Sequence, residues 1–204
     1  IYALWEKSGF FDPDRLPDRH QRGEPYAIVM PPPNRTGHLH LGHATMLAIE
    51  DLLIRFHRLR GRKTLWIPGT DHAAIATQAK VERQLIDEGI KDPRRTLGRE
   101  KLLERVVAFA DASSRTIRAQ IRKMGSSCDW SRERYTLDDA RNRAVTQMFR
   151  MMEEDGLIER GHRIVNWDPK MQTVVSDDEV EWAEEKAPFY YLQYGPFVIG
   201  TARP

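Results

Sequence analysis

Two short apolar runs, YAIVM at Tyr26–Met30 and KTLWIPG at Lys63–Gly69, are each followed by a polar loop and then by a stretch of helical spacing that a glycine ends. This doubled strand–loop–helix order constrains the fold more than any other feature. Strands joined through a helix run parallel, and such crossovers are right-handed. The first run, held between Pro25 and the Pro31–Pro33 triplet, suits a buried strand. In HLGHATMLAIEDLLIRFHRLRG, helical register relates Leu47, Asp51 and Ile54, and adds Ile49, Leu52, Leu53 and Phe56 before Gly61 closes it. DHAAIATQAKVERQLIDEG repeats the pattern and ends at Gly89. The predicted class is therefore α/β, a parallel sheet with flanking helices. Ligands in such sheets sit beyond the carboxyl ends of the strands. Both unusual loops, PPPNRTGHLHLGH and GTDH, fall at that edge.

Elsewhere the pattern is simpler. IYALWEKSGFF reads as a short amphipathic helix with Ile1, Leu4 and Trp5 on one side, and a polar connector follows from Asp12 to Pro25. Thr96 to Lys123 reads as a long charged helix, GSSCDWSRERYT as a connector, and Asp138 to Asp155 as another helix. From Gly161 onward, HRIVNWDP, DEVEW and FYYLQYGPFVIG are β-type runs with turns between them. The expected division is 1–160, the α/β part with its N-terminal helix, and 161–204, the start of a β-rich module.

Composition sets outer limits. A length of 204 residues allows one large domain, or a core domain with a satellite. A net charge of +2 gives no warrant for nucleic-acid binding from bulk charge. The basic run Arg55–Lys63 is read as a solvated helix end with some capacity to touch RNA phosphates. The single Cys128 excludes an internal disulfide and a Cys-rich zinc site. No apolar run reaches the ~20 residues that span a bilayer, and the first residues lack the layout of a signal peptide. A soluble, cytoplasmic protein without a membrane partner is expected.

The histidine loop carries the chemistry. A helix N-terminus offers unpaired N–H groups and partial positive charge, which together make an anion site. His40 and His43, one turn apart, can add two ring N–H donors to the same phosphate. Gly42 between them lets a flat ring or a phosphate approach the backbone. Such a site suits a nucleotide whose α-phosphate gains charge in the transition state, where one well-placed donor is worth ~3–4 kcal/mol. Two other readings stay open: plain capping, and a metal site from His38, His40, His43, Asp71 and His72. Asp71 itself is placed at or near a helix N-cap, where it either caps or holds a substrate ammonium, with Thr70 and Gln78 as polar support.

HLGH resembles the His-Ile-Gly-His signature of the class I aminoacyl-tRNA synthetases. PPPNRTGHLHLGHA, PGTDHAAIATQ, DWSRERYTLDD and VNWDPKMQTVVSDDEVEW together are similar to the valyl branch of that family, across nearly the whole chain. The resemblance implies the first half of a Rossmann-type catalytic domain that activates L-valine with ATP and Mg²⁺ and transfers it to tRNA(Val). It implies that His40, Gly42, His43 and Thr36 bind ATP, with His40 and His43 catalytic. Asp71 would take the valine ammonium, helped by Pro32, Pro33 and Asn34. No covalent nucleophile is implied, so Ser and Cys side chains read as structural.

Departures from the family pattern are Arg35 where Val is usual, read as an aid to ATP or a solvent-facing cation, and Ala74 where Gly is usual. Asp168 and Met171 stand where some relatives carry zinc-binding cysteines, so no zinc is expected. KMGSS (Lys123–Ser127) is read as a helix-end connector and not as the family's second signature loop. FVIGTARP resembles the threshold of an editing insertion, with Ala202 replacing a threonine. The expectation is therefore a synthetase fragment without editing, second signature loop or anticodon domain, which needs the remainder of the synthetase chain for full turnover. The competing expectations are a metal-dependent hydrolase built on the His/Asp cluster, and a non-catalytic tRNA-binding remnant.

Overall fold

The two apolar runs pair side by side. In the computed structural model, which describes all 204 residues, β1 (Pro25–Val29) and β2 (Lys63–Ile67) are parallel, with Pro25 opposite Lys63 and Val29 opposite Ile67. Between them runs the crossover helix α3 (Leu41–Leu59), and Gly61 turns the chain back at φ 81°. Thr64 and Trp66 on β2 are fully buried, and Trp66 packs with Met30, Leu47, Ile54, Ile117 and Ile121 in the main core. The opposite face is open: Val29 is 70% exposed. The run expected to be buried on both sides is thus covered on one only, because α3 and the long helix below lie against the same face. The Trp66 indole N–H donates to Glu50 Oε2 at 2.9 Å, and burial raises the Glu50 carboxyl above its ordinary range.

The apolar face expected for α3 is narrower than its sequence suggests. Leu47 and Ile54 are buried, whereas Ile49, Leu52 and Phe56 are exposed. Polar ties complete the stripe. Asp51 Oδ1 accepts from the Ser127 N–H (2.8 Å) and hydroxyl (2.6 Å), and Arg58 donates to Thr64 Oγ1 (3.2 Å) and Ser127 Oγ (3.1 Å). Burial pushes the Arg58 guanidinium down to about 10. Arg55 joins them through Asp51 and the Gly125 carbonyl. Arg55 and Arg58, in a run read as solvated, therefore brace the helix internally.

α4 (Ala74–Asp87) packs against α5 (Pro93–Lys123) through Val81, Leu85 and Leu102. Gly98, at φ 73° and ψ 170°, interrupts α5, so the single helix expected from Thr96 is two segments meeting at a glycine. The N-terminal helix α1 (Tyr2–Ser8) also departs from expectation: Ile1 and Leu4 are exposed, as is Trp5. It docks through polar contacts instead. The Tyr2 hydroxyl donates to the Ser126 carbonyl (2.8 Å) and accepts from the Trp130 indole (2.8 Å), and Glu6 pairs with Arg122. A short helix, α2 (Asp18–Gln21), follows. Arg132 then pins the segment before α2 through Asp12 and Asp14.

The chain forms two compact units, Ile1–Asp155 and Gly156–Pro204. The first unit ends with α6 (Asp139–Glu154), whose N-cap Asp138 accepts from the Arg141 N–H at 2.9 Å. The second holds two antiparallel hairpins, β5–β6 (Asn166–Asp168 with Thr173–Val175) and β7–β8 (Tyr190–Tyr194 with Phe197–Thr201). Asp168 Oδ1 accepts from the N–H groups of Lys170 (2.7 Å) and Met171 (2.9 Å), closing the first turn. No helix is long and apolar enough to cross a membrane.

Candidate functional site

β3 (Gly69–Thr70) and β4 (Arg134–Tyr135) extend the parallel arrangement beyond β2. An isolated parallel bridge then joins the two unusual loops at Asn34 and Asp71: Asp71 N–H donates to the Pro33 carbonyl and Arg35 N–H to the Asp71 carbonyl, both at 2.9 Å. The proline triplet supplies no N–H donors, so the backbone bonds available there fall to its neighbours.

His40 is the N-cap of α3. Its Nδ1 accepts the Gly42 N–H at 3.1 Å, and His43 Nδ1 accepts the His40 N–H at 3.3 Å, a reciprocal capping box made from imidazoles. The rings lie 3.9 Å apart between centroids. A nitrogen that accepts carries no proton, so each neutral ring keeps its proton on Nε2. Capping and donation are therefore compatible: one nitrogen holds the helix start and the other is left as an N–H donor. Burial, and then the neighbouring His40, hold the His43 pKa below its ordinary value. Gly42 also makes room for the capping ring: a Cβ there would meet His40 Cε1 at 2.9 Å.

The loop before His40 is held at several points. Lys80 on α4 donates to the Thr36 carbonyl at 2.7 Å, and Gln120 on α5 accepts the Leu39 N–H at 2.9 Å. Arg35 corrects both expectations set for it. It is neither solvent-facing nor free for a phosphate but 6% exposed, with Nε donating to Thr70 Oγ1 at 2.9 Å and its guanidinium 3.4 Å over the Tyr135 ring. Burial lowers its pKa, and its carboxylate partner is Asp111 at 3.4 Å.

Asp71 is not a helix cap. α4 starts at Ala74, its N-cap is Ala73 at φ 44°, and no side chain caps it. Asp71 is instead tied by Thr136, whose hydroxyl donates to Oδ1 at 2.9 Å, while Oδ2 makes no hydrogen bond within the chain. Thr70 stands beside the site, buried under Arg35, and Gln78 donates to Glu82 Oε1 at 2.7 Å. Tyr135 and Thr136 lie in the DWSRERYTLDD segment, but their meeting with Arg35 and Asp71 was not readable from sequence, since no local spacing links β4 to β3. Beside the bridge lies an apolar cavity of about 330 Å³, lined in part by Val29, Pro32, Ile67, Thr70, Tyr135 and Thr136.

The metal reading fails on geometry. No three His, Cys, Asp or Glu side chains converge in a way that would hold an ion. His40 and His43 spend Nδ1 on the helix start.

The model of tRNA synthetases class I (I, L, M and V) matches residues 1–198. The chain belongs to the class I tRNA synthetases. Among relatives of this synthetase chain, a valine–tRNA ligase of Acinetobacter baylyi is 50% identical over 193 residues, covering 95% of the chain and 19% of that protein. The chloroplastic/mitochondrial valine–tRNA ligase 2 of Arabidopsis thaliana is 49% identical, covering all of the chain and 21% of its own length. The synthetase chain thus spans about a fifth of the length of the curated relatives it matches. Its α/β fold is shared with a leucyl enzyme, LeuRS of Agrobacterium radiobacter K84 in complex with tRNA and LeuAMS, at TM-score 0.67 and 23% identity over 88% of the chain and 20% of that one.

Proposed function

We propose that this chain is the segment of a valine–tRNA ligase that binds ATP and L-valine and forms valyl-adenylate, for transfer to tRNA(Val). The observation that carries the reading is the bridge between Asn34 and Asp71, which joins the imidazole-capped loop to the loop of a carboxylate that is one-third exposed. Relatives named valine–tRNA ligase at about half identity support the choice of valine.

In the proposed reaction the valine carboxylate attacks the α-phosphorus, a mixed anhydride forms, and pyrophosphate leaves. Negative charge rises on the α-phosphate oxygens as the bond forms. The Nε2–H groups of His40 and His43, fixed beforehand by the capping box, would donate to those oxygens, with Thr36 and Gly42 beside the nucleotide. Asp71 Oδ2 would accept the ammonium, with backbone groups of Pro32, Pro33 and Asn34 completing its shell. The apolar cavity beside Pro32 would receive the isopropyl group. Such a pocket rejects threonine by only ~10². Mg²⁺ would enter with ATP, zinc has no part, and the site works in the cytoplasm together with the remainder of a synthetase.

The test is ATP–pyrophosphate exchange with valine, isoleucine and threonine. It uses the 204-residue chain and a full-length valine–tRNA ligase carrying it in place of its own matching segment. Valine-dependent exchange by the chimera is expected, with Asp71→Asn raising the KM for valine and leaving the KM for ATP. A chimera that is silent with valine, or faster with isoleucine, refutes the assignment.

A further inference from the structure

Thr136 lies far along the chain from Asp71, on the turn that follows β4, yet its hydroxyl is the hub of three contacts. It donates to Asp71 Oδ1 at 2.9 Å, accepts the His72 backbone N–H at 3.0 Å, and lies 2.6 Å from His72 Nδ1. Proton counting fixes the roles. A hydroxyl has one hydrogen and a carboxylate only accepts, so that hydrogen goes to Asp71. The hydroxyl oxygen must then receive from His72 Nδ1, which carries the proton. The same Nδ1 is 3.3 Å from Asp71 Oδ1, and that contact also calls for a donor. In its neutral form His72 is therefore the Nδ1–H tautomer, the opposite of neutral His40 and His43.

We propose that Thr136 is a positioning residue for Asp71: its hydroxyl, with the His72 ring it orients, occupies Oδ1 and leaves Oδ2 as the oxygen that takes a primary ammonium. The role rests on the valine–tRNA ligase reading given above. Without the hydroxyl, the carboxylate of Asp71, one-third exposed, would rotate about its last torsion and average its two oxygens. A fixed acceptor loses less freedom when the amine arrives, so affinity for the amine is where the effect should appear.

Two measurements test this. Long-range ¹H–¹⁵N correlation on the histidine-labelled 204-residue chain, at a pH where imidazoles are neutral, reads the tautomers directly. His72 is expected as Nδ1–H beside Nε2–H for His40 and His43. Thr136→Val, nearly isosteric, leaves Asp71 Oδ1 as the remaining acceptor for the Nδ1 proton, so the effect of that variant is read in valine binding. In the chimeric ligase, T136V should raise the KM for valine about tenfold, leave the KM for ATP unchanged, and be rescued by T136S. An Nε2–H signature for wild-type His72 overturns the proposal, as does a T136V chimera with an unaltered KM for valine. A chimera inactive before any substitution refutes the ligase reading instead, while the tautomer still decides whether Thr136 holds Asp71 and His72 as described.

Discussion

Replacing Gly42 by alanine sets two effects of similar size against each other. An alanine in a helix is favoured over glycine by ~1 kcal/mol. Its Cβ, however, would sit 2.9 Å from His40 Cε1 and 3.1 Å from Nδ1, inside contact distance. The obstructing atoms belong to an exposed, rotatable ring, so the ring gives way and the backbone stays. What is lost is the N-cap, worth ~1 kcal/mol. The net change in stability for G42A should therefore be close to zero. The function should not be neutral, because a displaced His40 no longer has its proton held on Nε2 where a phosphate needs it. A double-mutant cycle separates the terms. His40→Ala alone should cost ~1 kcal/mol in urea unfolding, and G42A added to it should recover ~1 kcal/mol, since no ring remains to be struck. Exchange activity of the chimera should fall for G42A as it does for H40A. If G42A stabilises by the same ~1 kcal/mol in both backgrounds, or keeps full exchange activity, the reasoning that Gly42 makes room for the capping ring is wrong.

Arg35→Ala should destabilise by about 2–3 kcal/mol through loss of the Tyr135 stack and the Thr70 bond, and Arg35→Lys should recover less than half, since an ammonium has neither flat face nor Nε; thermal unfolding of the three proteins decides it, and full rescue by lysine refutes the stacking account. His43 has a depressed folded pKa, so the native state binds fewer protons than the unfolded chain. Its contribution is present above the unfolded value of about 6.5 and is lost as pH falls through the lower folded value. His43→Asn should flatten that stretch of the stability–pH curve, and an unchanged slope counts against it. Burial pushes the Cys128 thiol well above its ordinary range, so iodoacetamide at pH 8 should label it only as fast as the protein unfolds; rapid labelling under native conditions would contradict the buried position.

The parallel pair and its crossover helix were legible because two apolar runs, two glycine stops and two polar loops repeat in order. The histidine loop was legible as a helix start. How imidazole performs the capping was not, since that depends on which ring nitrogen accepts. Local signals misplaced three things for one reason: each is decided by a partner distant in sequence. α1 turns Tyr2 and Glu6 inward because Ser126, Trp130 and Arg122 meet them there. Arg35 is buried because Tyr135 offers a ring and Thr70 an oxygen. Asp71 leaves the helix cap because Thr136 supplies its hydrogen bond. The break at Gly98 needed no distant partner, and its positive φ is the use to which glycine is suited.

The stack of Arg35 on Tyr135 has an evolutionary consequence. A guanidinium enclosed by one threonine, one aromatic face and one distant carboxylate cannot drift by itself: a change at 35 strands the groups that receive it, and a change at 135 or 70 strands the cation. Positions 35, 70, 111 and 135 should vary together among close homologues, as a set inherited or exchanged whole, even where the histidines beside them never change.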